Sequence, residues 1–173
     1  MAIHLIVDGY NLIRQSPQLQ ELDLEDLQLG REALLEQLTA YKKLKGYPIT
    51  VVFDGTHALP GAQSRDRIRG VEIRFSRMGE LADTVIKRMA AREREKALVV
   101  SSDGDVKRYA RQQGAATIEA ADFADKLLQA AYMDLKGAEE DESRGWKPTT
   151  RKKGPRRRLS KRQRRNNQRL SKL

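Results

Sequence analysis

Three short apolar runs in this chain end on aspartate, and that pattern restricts the fold more than any other feature. Ile3 to Val7 leads into Asp8-Gly9, Ile49 to Phe53 into Asp54-Gly55, and Ala97 to Ser101 into Ser102-Asp103-Gly104-Asp105. Nearly continuous apolar runs of this length read as strands buried on both faces of a parallel sheet. Parallel strands need covering crossover connections, and the intervening segments supply them. Leu22 to Lys45 carries Leu27, Leu34, Leu35, Leu38, Tyr41 and Leu44 at helical spacing and is stopped by Gly46-Tyr47-Pro48. Glu80 to Lys96, Val106 to Gln113 and Ala120 to Lys136 repeat the pattern.

Two weaker strands complete the expected sheet. Val71 to Phe75 alternates and so belongs nearer an edge, and Ala116 to Ile118 is a short fifth strand. A Gly-, Ser- and Arg-rich loop is expected over residues 56–70. Strands alternating with helices predict a three-layer α/β domain over residues 1–137, a parallel sheet flanked by helices with right-handed crossovers.

Charge divides the chain at the same place. Residues 144–173 hold 14 of the 34 lysines and arginines and none of the 24 acids, leaving 20 basic and 24 acidic residues before them. The acidic stretch Glu139-Glu-Asp-Glu142 and the breakers around Pro148 and Pro155 separate the halves. Residues 138–173 are therefore expected to be a linker and a disordered or extended basic tail, too poor in apolar side chains to fold alone. Arg156, Arg157, Arg158, Lys161 and Arg162 are its densest cluster. Such a block suits a polyanion, RNA above all, or a ribonucleoprotein such as the ribosome; a merely solubilising tail is the plainer reading.

Composition narrows the chemistry. There is no cysteine and there are only two histidines, which excludes thiol catalysis, a disulfide scaffold and Cys- or His-rich zinc sites. No uncharged apolar run approaches the roughly 20 residues of a membrane helix. The N-terminus has no basic segment before its apolar run, so no secretory signal is expected, and a soluble cytoplasmic protein is. No Walker A or dinucleotide-binding glycine pattern is present.

Ligands of open α/β sheets bind outside the carboxyl ends of the strands. If the strands before Asp8 and Asp103 are neighbours, those two carboxylates meet there. Clustered carboxylates repel unless a cation joins them, and Mg²⁺, a hard ion, prefers carboxylate and water oxygens. Phosphodiester hydrolysis on such ions needs no Cys, Ser or His nucleophile. Glu80 and Asp83, three residues apart at a helix start, either join this group or cap the helix. Asn11 either faces a phosphate or caps a turn. Arg65, Arg67 and Arg69 alternate, so an extended segment would place them on one side, to meet RNA phosphates or solvent.

These residues resemble a known pattern. Ile6-Val-Asp-Gly-Tyr-Asn-Leu-Ile13 is similar to the opening motif of NYN domains, a branch of the PIN-like nucleases. Gly79-Glu-Leu-Ala-Asp83 and Val99-Val-Ser-Ser-Asp-Gly-Asp105 resemble the second and third motifs, and Val52-Phe-Asp-Gly55 points to the YacP-like subgroup. The resemblance implies a Mg²⁺- or Mn²⁺-dependent endoribonuclease. It puts Asp8, Asp83 and Asp103 at the core acidic positions, Asn11 and Asp105 at accompanying polar ones, and Glu80 at an acid of the YacP-like version. A PIN-like domain that binds RNA without cutting it is the alternative.

Overall fold

In the computed structural model, which describes residues 2–57, 64–139 and 160–173, the expected α/β fold is present. Six strands form one sheet: β1 (His4–Asp8), β2 (Ile49–Phe53), β3 (Arg65–Ile68), β4 (Val71–Phe75), β5 (Ala97–Val100) and β6 (Ala116–Ile118). Their order is β3-β4-β2-β1-β5-β6, and every pair is parallel except β3 with β4. The sheet is wound outward in both directions from β1, so the topological switch point lies between β1 and β5.

Seven helices accompany the sheet among the described residues: α1 (Gly9–Gln15), α2 (Pro17–Glu25), α3 (Leu27–Lys45), α4 (Ala82–Glu93), α5 (Gly104–Gln112), α6 (Ala120–Glu139) and α7 (Lys161–Leu170). Strand alternation divides the core in two. Leu5, Val7, Val51, Phe53, Leu98 and Val100 pack with Leu12, Leu34, Leu38, Tyr41, Phe123 and Leu127 from α1, α3 and α6. Ile6, Val52 and Val99 face the other way, onto Val85, Ile86, Met89, Val106 and Ala110 of α4 and α5. Asp8 has the same parity as Ile6, so it ends β1 on the side of α4 and α5.

Several boundaries differ from the sequence expectation, each for a local reason. The helix expected from Leu22 is broken at Asp26, whose side chain caps α3 by accepting the Gln28 N–H at 2.7 Å. The Arg-rich loop contains β3, a four-residue strand exposed throughout, whose polar sequence disguises it. Gly79, at φ +80°, holds the chain in a left-handed turn, and α4 starts only at Ala82. Glu80 therefore precedes the helix.

The tail differs most. Residues 161–170 are helical rather than extended, opened by a capping box in which Ser160 and Gln163 bond reciprocally. Helix α7 packs against β6. Tyr41 and Tyr47 donate to the carbonyls of Leu173 and Lys172 at 2.9 and 2.7 Å, and Leu173 is buried in the core. Two apolar residues and backbone bonds to the body thus anchor a segment whose own composition could not. Arg156, Arg157 and Arg158 lie outside the described residues.

Candidate active site

Asp8 is the buried member of the site, only 7% exposed at the carboxyl end of β1. Its neighbour Gly9 is required by packing: a Cβ there would lie 2.4 Å from the Phe53 ring. That close approach starts α1 directly after the strand. Asp8 Oδ2 accepts a bond from Ser101 Oγ at 3.2 Å. The same hydroxyl accepts the Asp103 N–H at 3.1 Å, so Ser101 ties the ends of β1 and β5 together. Burial first, then the charge of Asp83, pushes the Asp8 carboxyl up to about 6, and Asp103 adds to the rise.

Asp103 caps α5. Its Oδ1 accepts the N–H groups of Asp105 and Val106 at 2.8 and 2.9 Å. Asp83 sits in the first turn of α4, across from both. Burial, then the charge of Asp103, raises its carboxyl above the usual range, with Asp105 and Asp54 adding to this and Lys87 opposing it. Asp8, Asp83 and Asp103 are therefore mutually repelling carboxylates at the switch point, as the strand endings predict.

The other expected site residues have different surroundings. Asn11 joins the first and third motifs, its side-chain oxygen accepting the Ser102 N–H at 2.8 Å. Asp105 turns to Lys87 in an ion pair, which holds its carboxyl below the ordinary range and raises the lysine. Glu80 pairs with Arg88 and accepts the Arg77 N–H at 3.3 Å, and the Arg88 bond lowers its carboxyl too. Asp54 closes a turn, its Oδ1 bonding Thr56 N and Oγ1 at 3.0 and 2.6 Å. Arg65 and Arg67 share one side of β3, opposite Arg74 and Glu72, while Arg69 occupies the following turn at φ +50°. Lys161 is exposed, and Arg162 donates to the Arg111 carbonyl.

Sequence reasoning overlooked three participants. Ser101 and Lys87 were hidden because a serine in a strand and a lysine on a helix are ordinary. Arg31 is 7% exposed, bonds Tyr10 Oη at 2.8 Å through Nε, and lies over the rings of Tyr10, Phe53 and Phe75. Nothing in a helix pattern distinguishes such an arginine.

The donor set is carboxylate oxygen, which suits Mg²⁺ or Mn²⁺ rather than a softer ion. Among the described residues no group of three or more Asp, Glu or His side chains is arranged to hold a metal ion. One or two carboxylates can share Mg²⁺ with water and substrate phosphate. The Asp8 carboxyl is raised mainly by burial and then by the charges of Asp83 and Asp103, and a cation beside it would favour its ionised form.

Comparisons with known proteins bear on the fold and the family. A crystal structure of Rae1 (YacP) from Bacillus subtilis superposes with a TM-score of 0.66 at 28% identity, covering 81% of each chain. A mutant of the same protein gives 0.65 at 24% identity, covering 83% of this chain and 86% of that one. The uncharacterized protein YacP of Bacillus subtilis strain 168 is 34% identical over 86 residues, half the length of each chain. The model of the YacP-like NYN domain matches residues 5–172, past the boundary expected at residue 137. From motif to sheet order to this match, the chain belongs to the YacP-like NYN domain family, within the PIN-like nuclease superfamily.

Proposed function

We propose that the protein is a metal-dependent endoribonuclease. The observation that supports this best is the grouping of Asp8, Asp83 and Asp103 at the switch point, where burial first and then the charges of Asp83 and Asp103 push the Asp8 carboxyl up. Asp8, Asp83 and Asp103 would hold Mg²⁺ or Mn²⁺, with Asp105 and Glu80 at the rim, where each would first release its basic partner. The ion when bound supplies Lewis acidity to a phosphoryl oxygen and a more acidic water.

The protein's own groups supply position. Ser101 fixes the Asp8 carboxylate, the first turn of α5 fixes Asp103, and Asn11 locks the two loops together. Cation binding would keep Asp8 ionised at neutral pH. Arg65, Arg67 and Arg69 would contact substrate phosphates, and the tail, including Lys161, Arg162 and Arg156 to Arg158, would bind RNA or a ribonucleoprotein such as the ribosome.

The test is cleavage of end-labelled RNA with Mg²⁺ or Mn²⁺, beside Asp8→Asn and an EDTA control, using naked RNA and translating ribosomes. Cutting that requires metal and disappears in Asp8→Asn supports the enzyme. RNA retention without cutting by the unaltered protein on either substrate would make it a binding module instead.

A further inference from the structure

Helices α5 and α7 lie side by side but do not close on each other. Between them runs a groove of about 700 Å³ that begins at Gly104, the residue after Asp103. Its lining includes Lys107, Arg108, Arg111 and Arg162, with the carboxamides of Asn166 and Asn167, and no carboxylate. The seam between α3 and α6 is unlike it, filled by Leu34, Leu38, Tyr41 and Leu127. A seam built only to dock α7 would be closed in the same apolar way. This one is left open and, apart from Gly104 and Leu170, is lined by basic and neutral polar side chains.

Docking of α7 relies on contacts away from most of these side chains. Arg169 reaches the Gly114 carbonyl at 3.3 Å and Glu95 at 3.6 Å, and Leu170 and Leu173 pack into the core. Arg162 and Arg111 serve both purposes, the first binding the second's carbonyl and the second binding Thr117 Oγ1 at 2.8 Å. Lys107 pairs with Glu119. Arg108 has only a 3.9 Å approach to Asp105 and is 69% exposed, and Asn167 is exposed. These two are available to a ligand.

We propose that this groove holds a single RNA strand leading away from the Asp8–Asp83–Asp103 site. The proposal rests on the nuclease reading and names the path its substrate takes. Guanidinium and ammonium groups suit the phosphates, and carboxamides suit base edges and 2′-hydroxyls. Size selects a single strand. The nine residues of α5 span about 13 Å, so the groove along them is short and is bounded by two helices only. A duplex, with two backbones on either side of stacked base pairs, is broader than a cleft between two adjacent helices and does not enter.

The test pairs Arg108→Glu with Asn167→Asp in the full chain, leaving the docking contacts of α7 intact, with Arg108→Lys/Asn167→Gln as the conservative control. Binding is measured in an Asp8→Asn background, and cleavage in the active protein. The probes are labelled single-stranded RNAs of roughly 4 and 16 nucleotides, a range that spans typical single-strand site sizes. The expected result is about tenfold weaker binding of the longer RNA, with a salt slope shallower by roughly 0.7 per lost phosphate contact. Cutting of the shorter RNA stays equal, and the conservative pair restores the longer one at an unchanged thermal midpoint.

Equal binding and cutting of both RNAs by the acidic pair would overturn the groove and leave the nuclease reading standing. Competition by duplex RNA as strong as by single strands would also overturn it. Groove-dependent binding by a protein that never cuts would keep the groove and sink the nuclease. No retention of either RNA by the unaltered chain would overturn the groove, and the nuclease reading would then rest on cleavage with translating ribosomes.

Discussion

The two ends of the central strands handle charge in opposite ways. At the amino ends, charged and polar groups are matched. His4 meets Glu93 through Nδ1 at 2.5 Å and Thr50 Oγ1 through Nε2 at 2.8 Å. Partial burial would raise Glu72 beside it, but the 2.6 Å bond and charge of Arg74 hold it below the ordinary range. At the carboxyl ends, Asp8 and Asp83 are both raised, first by burial and then by neighbouring carboxylates, Asp83 acting on Asp8 and Asp103 on Asp83. One end is settled by the protein alone. The other stores an electrostatic cost that an added cation would remove, as expected where a site is organised for function rather than stability.

The largest test of this contrast is Asp8→Asn. Cleavage should fall by about 10²–10³-fold, the scale on which one preorganised electrostatic group acts. Stability at pH 7 should instead rise, by up to roughly 2–3 kcal/mol, since each pKa unit corresponds to about 1.4 kcal/mol. Thermal melts beside a cleavage assay read both, and a variant less stable than its parent would contradict the strain.

A pH series gives the same number from another side. Asp8 shifts from 3.8 to about 6 on folding, so the folded state binds its proton more tightly than the unfolded chain does. Its contribution to stability is therefore complete below about pH 4, is lost as pH rises to about 6, and stays lost above. Denaturant melts from pH 4 to pH 7 should show a downward component that is missing in Asp8→Asn. Millimolar Mg²⁺ at pH 7 should raise the melting temperature of the parent and leave the variant unmoved.

The amino end should respond in the reverse sense. His4→Ala removes a partly buried hydrogen-bonded pair and should cost about 1–2 kcal/mol, with no change in cleavage per folded molecule. The smallest effect is expected at the rim. Lys87→Ala frees Asp105, so Asp105 should titrate higher by NMR, and the metal concentration needed for half-maximal cleavage should shift by less than that for Asp83→Asn.

Much of this was legible in the sequence because it rests on periodicity. Runs such as Ile49 to Phe53 identify buried strands, and each aspartate that follows marks the carboxyl end of its strand. Segments whose structure is fixed by distant partners were not legible. Residues 65–68 form a strand only because β4 offers its edge, and nothing apolar records that. Helix α7 looked like solvated charge, yet Leu170 and Leu173 reach a core assembled by β1, α3 and α6. Its one local signal was Ser160 with Gln163 three residues on. The grouping of Asp8 with Asp103 follows from strand order, whereas the ion pairs of Glu80 and Asp105 left no mark in the sequence. Only the arrangement in space shows Arg88 and Lys87 reaching them first.

Helix α7 has a consequence for the sheet it packs against. β6 is an outer strand, and an uncovered outer strand is a template for pairing with another chain. At the opposite border, β3 is short and carries Arg65, Asp66 and Arg67, which repel such pairing. At β6, Ala116, Thr117 and Ile118 carry no charge and are buried, with α7 packed against the strand. A chain cut before residue 160 should therefore form intermolecular sheet as well as lose basic charge. Its aggregates would pellet with or without RNA, so a truncation meant to probe the tail would report on self-association first.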